Sequence, residues 1–118
     1  IREALDASGI RNRIVVISAC YSGGFIPALR DERTIVLTAA LADRPSFGCG
    51  TESVATYFGR AWMIEGLNET TDPLKAFEGA LGRIRERERA EGFEPSMPQR
   101  HVGETIRGTL AAWQAQLV

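Results

Sequence analysis

The chain has 118 residues, 44% of them apolar and 25% charged, and a formal net charge of −1. That length suits one domain with a core of its own. The composition is that of an ordinary globular protein, and the near-neutral balance gives no reason to expect nucleic acid or an anionic membrane as partner. Two cysteines, Cys20 and Cys49, and one histidine, His101, cannot supply four ligands at zinc-type spacing. No metal and no other cofactor is therefore expected. No apolar run approaches the roughly 18 residues of a membrane span, so no membrane-spanning segment is expected in this chain, and no charged-then-apolar signal segment is present.

Ile1 to Ser8 reads as the end of a helix closed by Gly9, and a chain that opens inside a helix is expected to have an upstream part. Arg13 to Ala19 is a β-branched run without charge after Arg13, predicting a strand buried on both faces as in a parallel sheet. Cys20 to Gly24 is a tight loop, and Phe25 to Leu29 a short helix. Thr34 to Ala40 is a second buried strand. Two such strands joined by a crossover indicate an α/β unit. Leu41 to Thr51 is a loop by its Pro45, Gly48 and Gly50.

Glu52 to Leu67 is predicted as a helix, with Val54, Tyr57, Phe58, Ala61 and Trp62 on one stripe. Asp72 to Glu91 is another, with Asp72 as N-cap, Pro73 in the first turn, and Leu74, Phe77, Leu81 and Ile84 at helical spacing. Gly92 to Gln99 is a turn-rich connection. Val102, Ile106, Leu110, Trp113 and Leu117 mark a last helix. In Arg83 to Glu91 the arginines alternate with Glu86, Glu88 and Glu91, which reads as a solvated helix face and not a basic patch.

Cys20 stands at the C-terminal end of a buried strand, where open α/β sheets place their sites. Glycines after it let a substrate approach and are expected to leave N–H groups free to face a developing oxyanion. An unperturbed thiol titrates at about 8.5, so a cysteine nucleophile wants a base or a positive environment. The local pattern also fits a small buried hydrophobe at a strand end. A phosphatase-type loop is excluded, because Ile26 stands where its arginine would be, six residues on. A phosphate-binding P-loop is excluded because no Gly-Lys-Ser/Thr ending occurs.

Three ordered segments go further. Ser18-Ala19-Cys20-Tyr21-Ser22-Gly23 is followed by Thr38-Ala39-Ala40 with the loop Asp43 to Cys49, and then by Thr56-Tyr57-Phe58-Gly59. Together they resemble the legumain-type cysteine peptidases, a family related in fold to caspases, over about residues 13 to 65. The resemblance implies an α/β fold, a caspase-like three-layer sandwich with a mostly parallel sheet and helices on both faces. Residues 1–118 would form the C-terminal part of a single domain. It implies a cysteine endopeptidase acting on peptide or protein substrates with Cys20 as nucleophile, in an extracytoplasmic or secreted setting. Alternatives are a transamidase-like acyl transferase and a catalytically inactive caspase-like module that binds peptides or partner proteins.

In the family, asparagine is read by an acid two residues before the cysteine, a serine in the following loop and an acid on the next helix. Here these positions hold Ser18, Ser46 and Arg60. These are the expected substrate-binding residues, and the two changed acids argue against carrying over asparagine specificity. Cys49 is expected as a buried structural thiol near the pocket. The family's catalytic histidine precedes the cysteine strand in a His-Gly segment, whereas His101 follows it and reads as a surface or helix-start residue. The base is then expected upstream, and the chain is expected to self-associate or to pair with that upstream part. General-base assistance is worth roughly 10²–10⁴ in rate, so residues 1–118 alone should show negligible peptidase turnover beside a version extended upstream. Equal turnover of the two in a peptide-hydrolysis assay would sink that expectation.

Overall fold

Every residue of the β-branched run Thr34–Thr38 is buried, and this strand forms the centre of the molecule. The computed structural model describes residues 1–50 and 52–117. In chain order it contains α1 (Arg2–Ala7), β1 (Arg13–Ile17), a 3₁₀ turn (Ser22–Phe25), α2 (Ile26–Leu29), β2 (Thr34–Thr38), α3 (Tyr57–Gly59) running on as a π-helix (Arg60–Gly66), α4 (Pro73–Glu91), β3 (Gln99–Val102) and α5 (Glu104–Gln114). The sheet order is β1-β2-β3. β1 runs parallel to β2, pairing Ile14 with Ile35 and Val16 with Leu37. β3 runs antiparallel to β2, pairing Val102 with Ile35 and His101 with Val36. The fold is therefore α/β with a small mixed sheet.

Side chains alternate across a strand, and this sorts the core. Ile35, Leu37 and then Ala39 pack with Phe58, Ala61 and Trp62, with Phe77, Ala80 and Ile84 of α4, and with Ile106 of α5; Val16 and Val102 join from the flanking strands. Thr34, Val36 and Thr38 point to the other face and are equally buried. Leu29 of α2 is buried beside β2, outside that cluster.

α4 follows its sequence signals closely. The Asp72 carboxylate accepts from the N–H groups of Leu74 and Lys75, Pro73 opens the helix, and Gly92 ends it in the left-handed conformation at φ 74°. The reading fails elsewhere for identifiable reasons. The helix expected from Glu52 begins at Tyr57, because Thr56 is extended and its Oγ1 accepts the Gly59 N–H at 2.9 Å as an N-cap. Val54, placed on the buried stripe by its spacing, is 97% exposed. Val102 belongs to β3 and not to the last helix, since polar Gln99 to Val102 fills the free edge of β2 through backbone pairing. Leu117 lies beyond α5 and is exposed. β1 is not buried on both faces. Among the described residues it pairs only with β2, and Ile14 stays 46% exposed. Glu88, read as part of a solvated face, is 1% exposed. Thr51, the last residue of the expected loop, lies outside the described residues. Among the described residues no helix is long and apolar enough to cross a membrane.

Gly103 caps α5 where the chain passes against the segment before β2. Its N–H donates to the Thr34 carbonyl at 3.0 Å, and a Cβ there would overlap the backbone carbonyl of Glu32. Gly108, within α5, has open space around it. Gly103→Ala should destabilise by about 3 kcal/mol through overpacking. Gly108→Ala should stabilise by about 0.5–1 kcal/mol as a helix-interior glycine replaced. Equilibrium urea unfolding of the two variants checks both signs.

Candidate functional site

The end of β1 is carried forward by one more ladder bond, from the Ala39 N–H to the Ile17 carbonyl at 3.0 Å. The chain then turns sharply at Tyr21, which adopts the left-handed conformation at φ 59°, uncommon for a residue with a Cβ. The turn is held from two sides. The Tyr21 N–H donates to the Arg44 carbonyl at 2.8 Å, and the Gly23 N–H to the Ala40 carbonyl at 2.7 Å. The buried Ser22 Oγ accepts the Ala40 N–H at 3.2 Å. Only glycine fits at position 23, because a Cβ would stand 2.8 Å from the Ala40 carbonyl oxygen and from the Ala42 nitrogen. The Thr38-Ala39-Ala40 run is thus the seat on which the cysteine loop rests.

This seat corrects one expectation. The glycine N–H groups do not point freely at solvent, since Gly23 is bound to Ala40 and Gly24 donates to the Tyr21 carbonyl at 3.1 Å. Among the described residues the Cys20 N–H makes no hydrogen bond.

Cys20 itself is exposed and its thiol is free. Its Sγ accepts the backbone N–H of Ser46 at 3.2 Å, lies 3.7 Å from the Ser46 Oγ, and can donate to the Ser46 carbonyl at 3.4 Å. An N–H aimed at sulfur favours the thiolate, and a carbonyl favours the thiol. Ser46 is therefore in direct contact with Cys20, while its side chain is almost wholly buried. Ser18 Oγ is 2.8 Å from Thr56 Oγ1, the same oxygen that caps α3. Thr56 is the site residue the sequence reading left without a role. Its place in the Thr-Tyr-Phe-Gly segment was the available signal.

Arg60 follows Thr56 by one helical turn, its N–H donating to the Thr56 carbonyl at 2.9 Å. Its guanidinium is exposed and pairs with Glu65 at 3.3 Å. With Tyr57, Ser53, Val54, Ile64 and Arg87 it lines a groove of about 560 Å³. The structure thus joins Cys20 to Ser46 and Ser18 to the start of α3, but turns Arg60 toward Glu65.

His101 lies on β3 opposite Val36, and its Nε2 is 3.0 Å from the carbonyl oxygen of Asp31, in the segment before β2. Cys20 follows the other end of the parallel pair, so His101 is at the wrong end of the sheet to serve it. Cys49 is exposed, not buried as expected. Its predecessors make the inward contacts: Phe47 stacks on Phe93, and Gly48, at φ 88°, backs directly onto Tyr57. No group of three or more metal-binding side chains is gathered among the described residues. A second groove, of about 440 Å³ and mostly apolar, runs beside Ile14, Ile106, Leu110 and Trp113, and no cysteine lines it.

Compared with known proteins, residues 1–109 match the family model of the peptidase C13 family. No curated protein and no solved structure matches.

Beside the Arg60 groove, Glu65 is shared among Arg87 at 2.7 Å, Arg60 at 3.3 Å and Arg83 at 3.4 Å. The hydrogen bond from Arg87, aided by the charges of all three arginines and opposed by desolvation, holds its carboxyl below the usual glutamate range. A depressed carboxylate contributes stability above its unfolded pKa and loses it as pH falls through the folded value. Glu65→Gln should therefore cost about 1 kcal/mol or less at neutral pH, as expected for a largely solvated pair. That difference should shrink as the pH falls below the ordinary glutamate value and vanish only below the depressed folded one. Thermal melts of both proteins across that range test the convergence.

Proposed function

The chain belongs to the peptidase C13 family, a family of cysteine peptidases, and from that premise we propose that Cys20 is the nucleophile of an endopeptidase working through an acyl-enzyme. The observation that carries this reading is the exposed Cys20 Sγ, fixed by the Ser46 N–H on a loop pinned to Ala40 and Arg44. A nucleophile held in one place ahead of the reaction saves orientational entropy at the transition state.

In the proposed reaction the thiolate adds to the scissile carbonyl carbon, forming a C–S bond and placing negative charge on the oxygen. Collapse of that adduct breaks the C–N bond, the amine leaving with the proton first taken from the thiol, and water then hydrolyses the thioester. The Cys20 N–H, without a partner among the described residues, is the proposed backbone donor for the oxyanion, and one such donor is worth about 2.7–4 kcal/mol. The imidazole that takes the thiol proton comes from a His-Gly segment upstream, in line with the family resemblance and with His101 being bound at the other end of the sheet. Residues 1–118 then act as the C-terminal part of one caspase-like domain. In that three-layer sandwich the sheet continues past β1, where Ile14 is left half exposed.

Ser18, Ser46 and Arg60 form the proposed substrate-binding set, Ser46 touching the thiol and Ser18 and Arg60 both hydrogen-bonded to Thr56. Ser18 and Thr56 present hydroxyls where the family places an acid. Arg60, neutralised in part by Glu65, gives the groove mixed charge, which does not reproduce the asparagine-reading pattern.

A peptide carrying a thiol-reactive electrophile is the direct probe of this reading. Labelling should disappear in Cys20→Ala and persist in Cys49→Ala. Labelling that survives Cys20→Ala overturns the assignment.

A further inference from the structure

The loop that holds the Cys20 thiol is itself held, by a segment remote from it in sequence. α4 ends at Gly92 in the left-handed conformation, and the Phe93 N–H returns to the Glu88 carbonyl at 2.7 Å, a Schellman-type closure. The chain therefore folds back along the last turn of α4 as a strap, residues 93–96. One end of the strap is anchored by Glu88, whose Oε2 accepts the Ser96 N–H at 2.8 Å in a site where the side chain is 1% exposed.

The strap meets the Cys20-holding loop at three points. Phe93 stacks on Phe47 with ring centroids 4.4 Å apart and 12° between planes. The Pro95 carbonyl accepts from the Arg44 guanidinium at 3.2 Å. The Ser96 carbonyl accepts the Leu41 N–H at 3.0 Å. These contacts bracket Ser46, whose N–H reaches Cys20 Sγ, and include Arg44, whose carbonyl takes the Tyr21 N–H. A buried carboxylate with a single backbone partner is a costly feature for stability alone. Its location at the root of this chain of contacts gives it a use.

We propose that Glu88 and Arg44 are positioning residues for Cys20, acting through the 93–96 strap to hold the Ser46 N–H on the thiol. This rests on the nucleophile reading for its functional meaning, but not for its test. With the strap in place, the Ser46 N–H and carbonyl hold the sulfur at fixed distances of 3.2 and 3.4 Å. With it slack, loop 41–46 moves off and both contacts are lost.

The test measures the rate of alkylation of Cys20 by iodoacetamide as a function of pH, in residues 1–118 with Cys49→Ser so that one thiol reports. Far-UV circular dichroism is recorded on each variant. Glu88→Ala and Arg44→Met should move the midpoint of the alkylation profile, because the Ser46 N–H and carbonyl that both touch the sulfur leave it together. Glu88→Gln keeps an acceptor oxygen for the Ser96 N–H and should keep the parent midpoint. A role in stability alone would lower the melting temperature of these variants and leave the midpoint where it was. An unmoved midpoint in folded Glu88→Ala and Arg44→Met overturns the proposal. If Glu88→Ala does not fold, Arg44→Met, altered at a half-buried side chain, decides by itself. Probe labelling of Cys20→Ala separately tests the nucleophile assignment, so failure of one reading is distinguishable from failure of the other.

Discussion

Complete burial of β2 is the constraint on which the rest of this structure depends. A strand covered on both faces must satisfy its backbone through its neighbours, and β1 and β3 provide that pairing from opposite sides. The same strand orders the core, because Ile35 and Leu37 on one face gather the helices that follow. Its continuation, Ala39-Ala40, carries the order beyond the sheet. Both residues are buried, and their backbone groups meet Ile17, Ser22 and Gly23. The position of Cys20 is therefore a consequence of core packing, transmitted through a few backbone hydrogen bonds.

Small residues around the thiol have a structural role before any chemical one. Gly23 is required by close approach to Ala40 and Ala42, and its N–H is consumed in that approach. The Ser22 hydroxyl is likewise spent on the Ala40 N–H. What the loop leaves for chemistry is the thiol, its own backbone N–H and the contact with Ser46. A Ser-Gly pair after a cysteine thus reads more securely as a device for seating the loop than as an oxyanion cradle.

Charge is distributed on a similar plan. The arginine-glutamate alternation of α4 looks uniform along the sequence, yet the residues separate by helical face. Arg83 and Arg87 reach across to Glu65 on the π-helix, while Glu88 turns inward to the Ser96 N–H. One helical run thus supplies a solvated ion-pair network beside the Arg60 groove and a buried anchor for the strap behind the cysteine loop. Periodicity assigns residues to faces, but it does not say which acid finds a backbone donor inside.

Local signals determined much of this protein by themselves. The β-branched runs specified β1 and β2, Asp72, Pro73 and Gly92 bounded α4, and the three ordered segments pointed to the family. These features depend on near neighbours in the chain, through conformational preference, capping or a contiguous motif. Tertiary structure decided the remainder. Polar Gln99–Val102 became a strand because β2 had an edge to fill, and Val54 was released to solvent because Thr56 capped the helix after it. His101 went to the far end of the sheet, Thr56 came to Ser18, and Ser46 to Cys20. Each of these pairings spans dozens of residues, and only the packing of the chain around β2 brings such groups within hydrogen-bonding distance.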